Sequence, residues 1–156
     1  MVEFGILQHV EQIINQEVFD SNCKDSGLVC IISFLPHIYD SSAAQRNGFL
    51  EIIANVLTKN GEKPMAFSWA QGGDHYKFEQ NFNLNFGFPS VLAISPAKMK
   101  YTVMKGAFNE KEFDAFVTGL LRGKSTLDDF KEYGKLSKVE EWDGKDASPP
   151  ALEDEY

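Results

Sequence analysis

Leu28-Val29-Cys30-Ile31-Ile32-Ser33-Phe34-Leu35 is a nearly unbroken apolar run. A strand with one face in water alternates apolar and polar side chains, and this one does not. Its length and β-branched content fit a strand buried on both faces, at the centre of a parallel-type sheet. Pro36 lacks the N–H that a further ladder bond needs, and ends it.

The segments around this run are read by the same rules. Asp40-Ser41-Ser42 offers a helix N-cap, and Phe49, Ile52, Ile53, Val56 and Leu57 make the apolar stripe of a helix that Asn60-Gly61 closes. Residues 65–70 read as a second strand and residues 74–81 as a short helix, with Phe78 and Phe82 as core residues. Residues 90–95 and 100–105 are two more strands, joined by Pro96-Ala97-Lys98-Met99 and hence an antiparallel hairpin. Asn109 caps a last helix whose face is Phe113, Phe116, Val117, Leu120 and Leu121, ended by Gly123. The start of the chain is open to two readings. Phe4, Leu7, Val10 and Ile14 recur at helical spacing, while residues 10–14 also suit a short strand before a helix from Gln16 to about Asp25. With the strand, the order is β-α-β-α-β-α-β-β-α. That is an α/β fold with a mixed central sheet flanked by helices and a terminal antiparallel hairpin. Residues 1–124 form the domain, the first nine or so being a linker or tag, and 125–156 read as an acidic tail, largely extended or disordered.

Charge narrows the partners. The net charge is -8 over 156 residues, and residues 138–156 hold seven acids against two bases. Such a balance speaks against a phosphate-backbone partner, so no nucleic acid is expected. No stretch approaches the ~18 apolar residues that span a bilayer, and Met1-Val2-Glu3-Phe4-Gly5 lacks the basic start of a signal peptide. No membrane partner is expected.

Phe86-Gly87-Phe88-Pro89-Ser90-Val91 puts a proline at the opening of the strand before the hairpin. Further segments stand out: Leu35-Pro36-His37-Ile38 with Asp40, Ala43-Ala44 with Arg46-Asn47, Lys98-Met99-Lys100-Tyr101, Lys105-Gly106-Ala107-Phe108 and Trp142-Asp143-Gly144-Lys145-Asp146. In these segments and in its element order the chain resembles the third, non-catalytic thioredoxin-like domain of protein disulfide isomerases of the A6 type. The resemblance runs from about Val10 to Asp154. It implies a thioredoxin-like fold, a cis peptide bond at Pro89, two catalytic domains upstream and residence in the endoplasmic reticulum lumen. The family closes on a retention tetrapeptide, whereas this chain closes on Glu153-Asp154-Glu155-Tyr156.

The same resemblance exposes what is missing. Catalytic members carry Ala-Pro-Trp-Cys-Gly-His-Cys after the central strand. Aligned on Pro36, the two cysteine positions fall on Ile38 and Ser41, and the buried acid that assists proton transfer falls on Ile32. Thiol–disulfide exchange needs a thiolate at a helix N-terminus and a second thiol to resolve the mixed disulfide. Neither is present there, so no catalytic residue is assigned.

Cys23 and Cys30 have the wrong spacing for a redox or zinc motif. Three states remain open for them: a structural disulfide, two free buried thiols, or a redox-active pair. His9, His37 and His75 are scattered, and the tail acids lack an EF-hand pattern, so neither a metal nor any other cofactor is expected.

In thioredoxin-like domains peptides lie across three loops. Here those loops carry Pro36, His37, Ile38 and Tyr39; Phe86, Phe88 and Pro89; and Gly106 and Ala107. An apolar edge with free backbone groups beside Pro89 could hold an extended segment. The resulting expectation is a client- and partner-binding domain of a disulfide isomerase assisting oxidative folding. Its partners would be unfolded or partly folded polypeptides, the catalytic domains of its parent chain and endoplasmic reticulum chaperones. The alternatives are a thiol-dependent reductase or peroxidase using Cys23 or Cys30, and a purely structural spacer.

Overall fold

The computed structural model describes residues 10–84 and 87–148. Its elements are β1 (Glu11–Gln12), α1 (Gln16–Phe19), β2 (Val29–Leu35), α2 (Ala43–Lys59), β3 (Met65–Gln71), α3 (Tyr76–Asn81), β4 (Ser90–Ser95), β5 (Lys100–Val103), α4 (Glu110–Leu121) and β6 (Asp128–Asp129). A π-helical turn, Asp20–Lys24, extends α1, and a 3-10 turn, Ile38–Asp40, follows β2. The start is therefore a strand and a short helix. The sheet order is β1-β3-β2-β4-β5-β6. β3 runs parallel to β1 and β2, while β4, β5 and β6 pair antiparallel in succession from β2.

The apolar run is the centre of that sheet. β2 pairs along its length with β3 and over five residues with β4, so both of its edges and both of its faces are covered. Side chains alternate between two cores. Cys30, Ile32 and Phe34 enter one, with Phe19, Phe78, Phe82, Leu92 and Ile94. Ile31 and Leu35 enter the other, with Ile53, Val56, Val91, Phe113 and Val117 from α2, β4 and α4.

Local chemistry sets the helix boundaries. The Ser42 hydroxyl accepts from the Gln45 N–H at 3.1 Å and caps α2, and Asn109 does the same for α4 through the Glu112 N–H at 2.8 Å. Asn60 ends α2 and is buried, its amide donating to Val56 O at 2.8 Å and to Asp114 Oδ1 on α4 at 3.0 Å. The two helices are thereby fastened end to flank. The fourth full strand stops at Val103, two residues earlier than the sequence suggests.

Cys23 and Cys30 are joined, with sulfurs 2.06 Å apart, and both are almost wholly buried. The bond ties the end of the π-helical turn to the second residue of β2. Replacing both by alanine is expected to cost about 2.5 kcal/mol from loop closure, lowering Tm by roughly 5–10 °C. Reductant should produce the same drop in the parent chain and none in the variant, as read by thermal unfolding with and without it.

The segment after Gly123 differs from a free tail. Residues 125–148 hold almost no regular structure, yet Phe130 and Leu136 are buried in the first core. β6 adds to the sheet edge, the Phe130 N–H donates to Met99 O at 3.1 Å, and the Val139 N–H donates to Ile14 O at 2.8 Å. The segment thus runs over the α1/α3 face from one sheet edge to the other. Low apolar content hides this, because one buried side chain every few residues has no period to detect.

Candidate functional site

Two consecutive devices shape the loop after β2. Pro36 stops the ladder, and His37 then closes the 3-10 turn by accepting the Tyr39 N–H at Nδ1, 3.1 Å away. The His37 and Tyr39 rings stack at 4.9 Å, leaving Tyr39 71% exposed. The Ser41 hydroxyl donates to His37 O at 3.2 Å, and α2 begins one residue after Ser42. Ile38 and Ser41 offer no thiol, and Ile32 is fully buried among apolar neighbours.

Beneath this turn lies a buried polar network. Arg46 is 1% exposed, one turn into α2. Its Nη2 donates to Pro36 O at 2.7 Å and to Gln71 Oε1 at 2.8 Å. Gln71 Oε1 also accepts the Ile38 N–H at 3.0 Å, and its Nε2 donates to Asp74 Oδ1 at 3.0 Å. The guanidinium lies 5.1 Å from the Trp69 ring centre and 5.0 Å from that of Trp142. Burial pulls the Arg46 pKa below its ordinary value, and Asp74 partly opposes this. One cation therefore fixes the turn, the end of β3 and residue 142 at once.

Glu79 and His75 organise the next loop. The Glu79 carboxylate accepts the N–H groups of Gly73 at 2.9 Å and of His75 at 2.9 Å. Burial nonetheless raises its pKa, outweighing those two donors. The fully buried His75 ring bonds Ile13 O at 2.8 Å through Nε2 and accepts the Ser137 N–H at 3.1 Å through Nδ1. Both of its nitrogens are thus engaged by backbone. Among the described residues no cluster of three His, Cys, Asp or Glu side chains is placed to hold a metal, and His9 lies outside them.

The chain end then crosses the turn. The Trp142 N–H donates to Gln12 Oε1 at 2.8 Å, and its indole N–H donates to Lys145 O at 2.9 Å. Asp146 Oδ1 accepts the Ala43 N–H at 2.6 Å. A carboxylate thereby occupies the α2 N-terminus, where a catalytic thioredoxin domain needs its thiolate. Residues 142–146 form a strap over a groove of about 410 Å³ whose walls include His37, Ile38, Tyr39, Arg46 and Gln71.

Phe88 and Pro89 face a separate cleft with Leu84, Gly87, Ser90, Val103 and Met104. The Phe88–Pro89 peptide bond is cis. The Phe88 ring lies against Gly72, where a Cβ would fall 2.4 Å from it, so only glycine fits. Among the described residues the main-chain N–H and C=O of Phe88 join no backbone hydrogen bond. Gly106 and Ala107 are exposed and line neither cleft, and Phe86 lies outside the described residues. The loop after β2 and the Phe88–Pro89 loop thus line two separate clefts, and a strap covers the first.

Sequence reasoning passed over Arg46, Gln71 and Asp146 as functional groups. A signal existed for Arg46. It continues the apolar stripe of Phe49, Ile53 and Val56 by one helical step, and a charge on a core-facing stripe demands partners.

Residues 6–125 match the family model described as PDIA6-like, C-terminal thioredoxin-like domain. Protein disulfide-isomerase A6 of Mus musculus is 32% identical over 146 residues, covering 92% of this chain and 33% of the relative. The A6 homolog of Caenorhabditis elegans is 35% identical over 144 residues, covering 90% and 32%. The chain thus spans about a third of the length of these curated relatives. Among solved structures, the first thioredoxin domain of mouse Protein disulfide-isomerase A4 aligns with a TM-score of 0.55 at 14% identity, over 81% of this chain and 89% of that one. Chloroplastic thioredoxin z aligns at 0.54 and 15%, over 79% and 99%. At these identities the likeness is one of fold, a thioredoxin-like domain.

Proposed function

The chain belongs to the family of PDIA6-like C-terminal thioredoxin-like domains, and on that premise we propose that it is a non-catalytic client-binding module of a protein disulfide isomerase. The observation that carries this reading is the thiol-free turn at Ile38 and Ser41 on an otherwise complete scaffold, with a Phe88 backbone that makes no backbone hydrogen bond among the described residues. A chain laid there can form strand-like hydrogen bonds and apolar contacts, and no sulfur is available for a mixed disulfide. The buried Cys23–Cys30 bond offers no attacking thiolate to support a reductase or peroxidase. The partners that fit are unfolded or partly folded polypeptides, the catalytic domains of the parent chain and chaperones. The compartment that fits is the endoplasmic reticulum lumen, where a disulfide persists.

Titration with a reduced, carboxymethylated unfolded polypeptide tests this directly. Amide shifts are expected at Ile38, Tyr39 and Phe88, and Ile38→Asp or Phe88→Asp should weaken binding by about tenfold. Saturating polypeptide that moves none of these amides would leave the spacer reading in its place.

A further inference from the structure

Residues 142–146 are fastened lightly. Apart from half-buried Trp142 they are exposed, and four hydrogen bonds to or within the strap, the Trp142 ring beside Arg46 and the turn at Gly144 (φ +85°) hold them. The chain before them is firmly seated, through buried Leu136 and the Val139 bond to Ile14. A segment with a fixed base and few buried contacts sits at the low end of local stability, so it can open while the fold stays intact.

What the strap touches defines what could replace it. An aromatic ring lies over the Arg46 guanidinium, and four residues later a carboxylate meets the free Ala43 N–H at the start of α2. Both contacts are general recognition chemistry, cation–π and anion at a helix N-terminus. A second observation points to a ligand. Arg46 Nε is buried and has no hydrogen-bond partner among the described residues, although Arg46 borders the groove. The strap leaves that donor unsatisfied, and an acceptor on an incoming chain could meet it.

We propose that this groove recognises polypeptide segments that carry an aromatic residue four positions ahead of an acid across a turn, with residues 142–146 as its built-in competitor. The proposal rests on the client-binding reading and names the class of segment bound and its regulation. An incoming segment must displace the strap, so its apparent affinity is reduced by the fraction of molecules in which the strap is closed.

The probe is a synthetic peptide copying residues 139–148, added to the parent chain, to Asp146→Ala and to Trp142→Ala/Asp146→Ala. Binding is read from the Ala43 amide and the Arg46 Nε–H signals. The double variant should bind about tenfold more tightly than the parent chain, with Asp146→Ala between them. A peptide with its Trp and its second-lysine-side Asp, the copies of Trp142 and Asp146, both replaced by alanine should shift neither signal. Asp146 is exposed and makes its contact with one backbone N–H, so the single variant decides the matter even where the double variant unfolds. Equal affinity for parent and variants, or no movement of Ala43 and Arg46, overturns the proposal. Unfolded polypeptide that then still shifts Phe88 would preserve the client-binding reading without it.

Discussion

Arg46→Ala is expected to lower the free energy of unfolding by about 3–5 kcal/mol, the range for breaking one partner out of a buried charged network. The loss has three sources. Pro36 O and Gln71 Oε1 lose a charged donor at 2.7 and 2.8 Å. Asp74, bonded to Gln71, loses the cation that offsets its charge. Trp69 and Trp142, which pack edge to face on each other, lose the cation beside both rings and face a cavity. Arg46→Lys should recover little, because an ammonium lacks the planar, weakly hydrated group that the guanidinium sets against the two rings. Urea unfolding followed by tryptophan emission measures this well, since Trp69 and Trp142 are the two tryptophans of the chain. A loss under about 1 kcal/mol would place Arg46 among ordinary surface charges and remove the anchor of the turn.

Phe82→Ala should cost a similar amount, about 3–5 kcal/mol, with a different signature. Phe82 is fully buried, and its ring centre lies 4.8 Å from that of Phe78, 5.0 Å from Tyr101 and 5.1 Å from Phe130. Phe130 and Tyr133 belong to the segment after α4, and they pack on each other at 5.0 Å. Truncation therefore removes core volume and the surface on which the chain end is seated. Limited proteolysis should cut residues 124–135 faster in this variant than in Arg46→Ala at matched stability. Equal cutting rates would mean that the chain end is held at its strap and not at its aromatic base.

Much of the fold was legible because its causes are local. The apolar run from Leu28 to Leu35, the Ser42 and Asn109 caps and the proline stops each act within a few residues, so reading them needs no partner. The hairpin was equally plain, since Pro96 to Met99 leaves too little chain for any other connection. The site was legible only in part. That Ile38 and Ser41 carry no sulfur is a fact of composition, and the turn they form was placed by Pro36. The groove over that turn was not, because its walls come from four stretches far apart in the chain.

What the sequence determined by itself is the alternation of elements, the central strand and the absence of an exchangeable thiol at α2. Those follow from side-chain period, backbone caps and the identity of two residues. The tertiary structure alone decided that residues 125–148 return across the sheet, that Arg46 lies against both Trp69 and Trp142, and that Asp146 accepts the Ala43 N–H at the start of α2. Those contacts join residues up to 130 positions apart, as between Gln12 and Trp142. No periodicity encodes them. They form because a buried cation and the Ala43 N–H that the Ser42 cap leaves open each need a partner, and the folded sheet brings the chain end within reach.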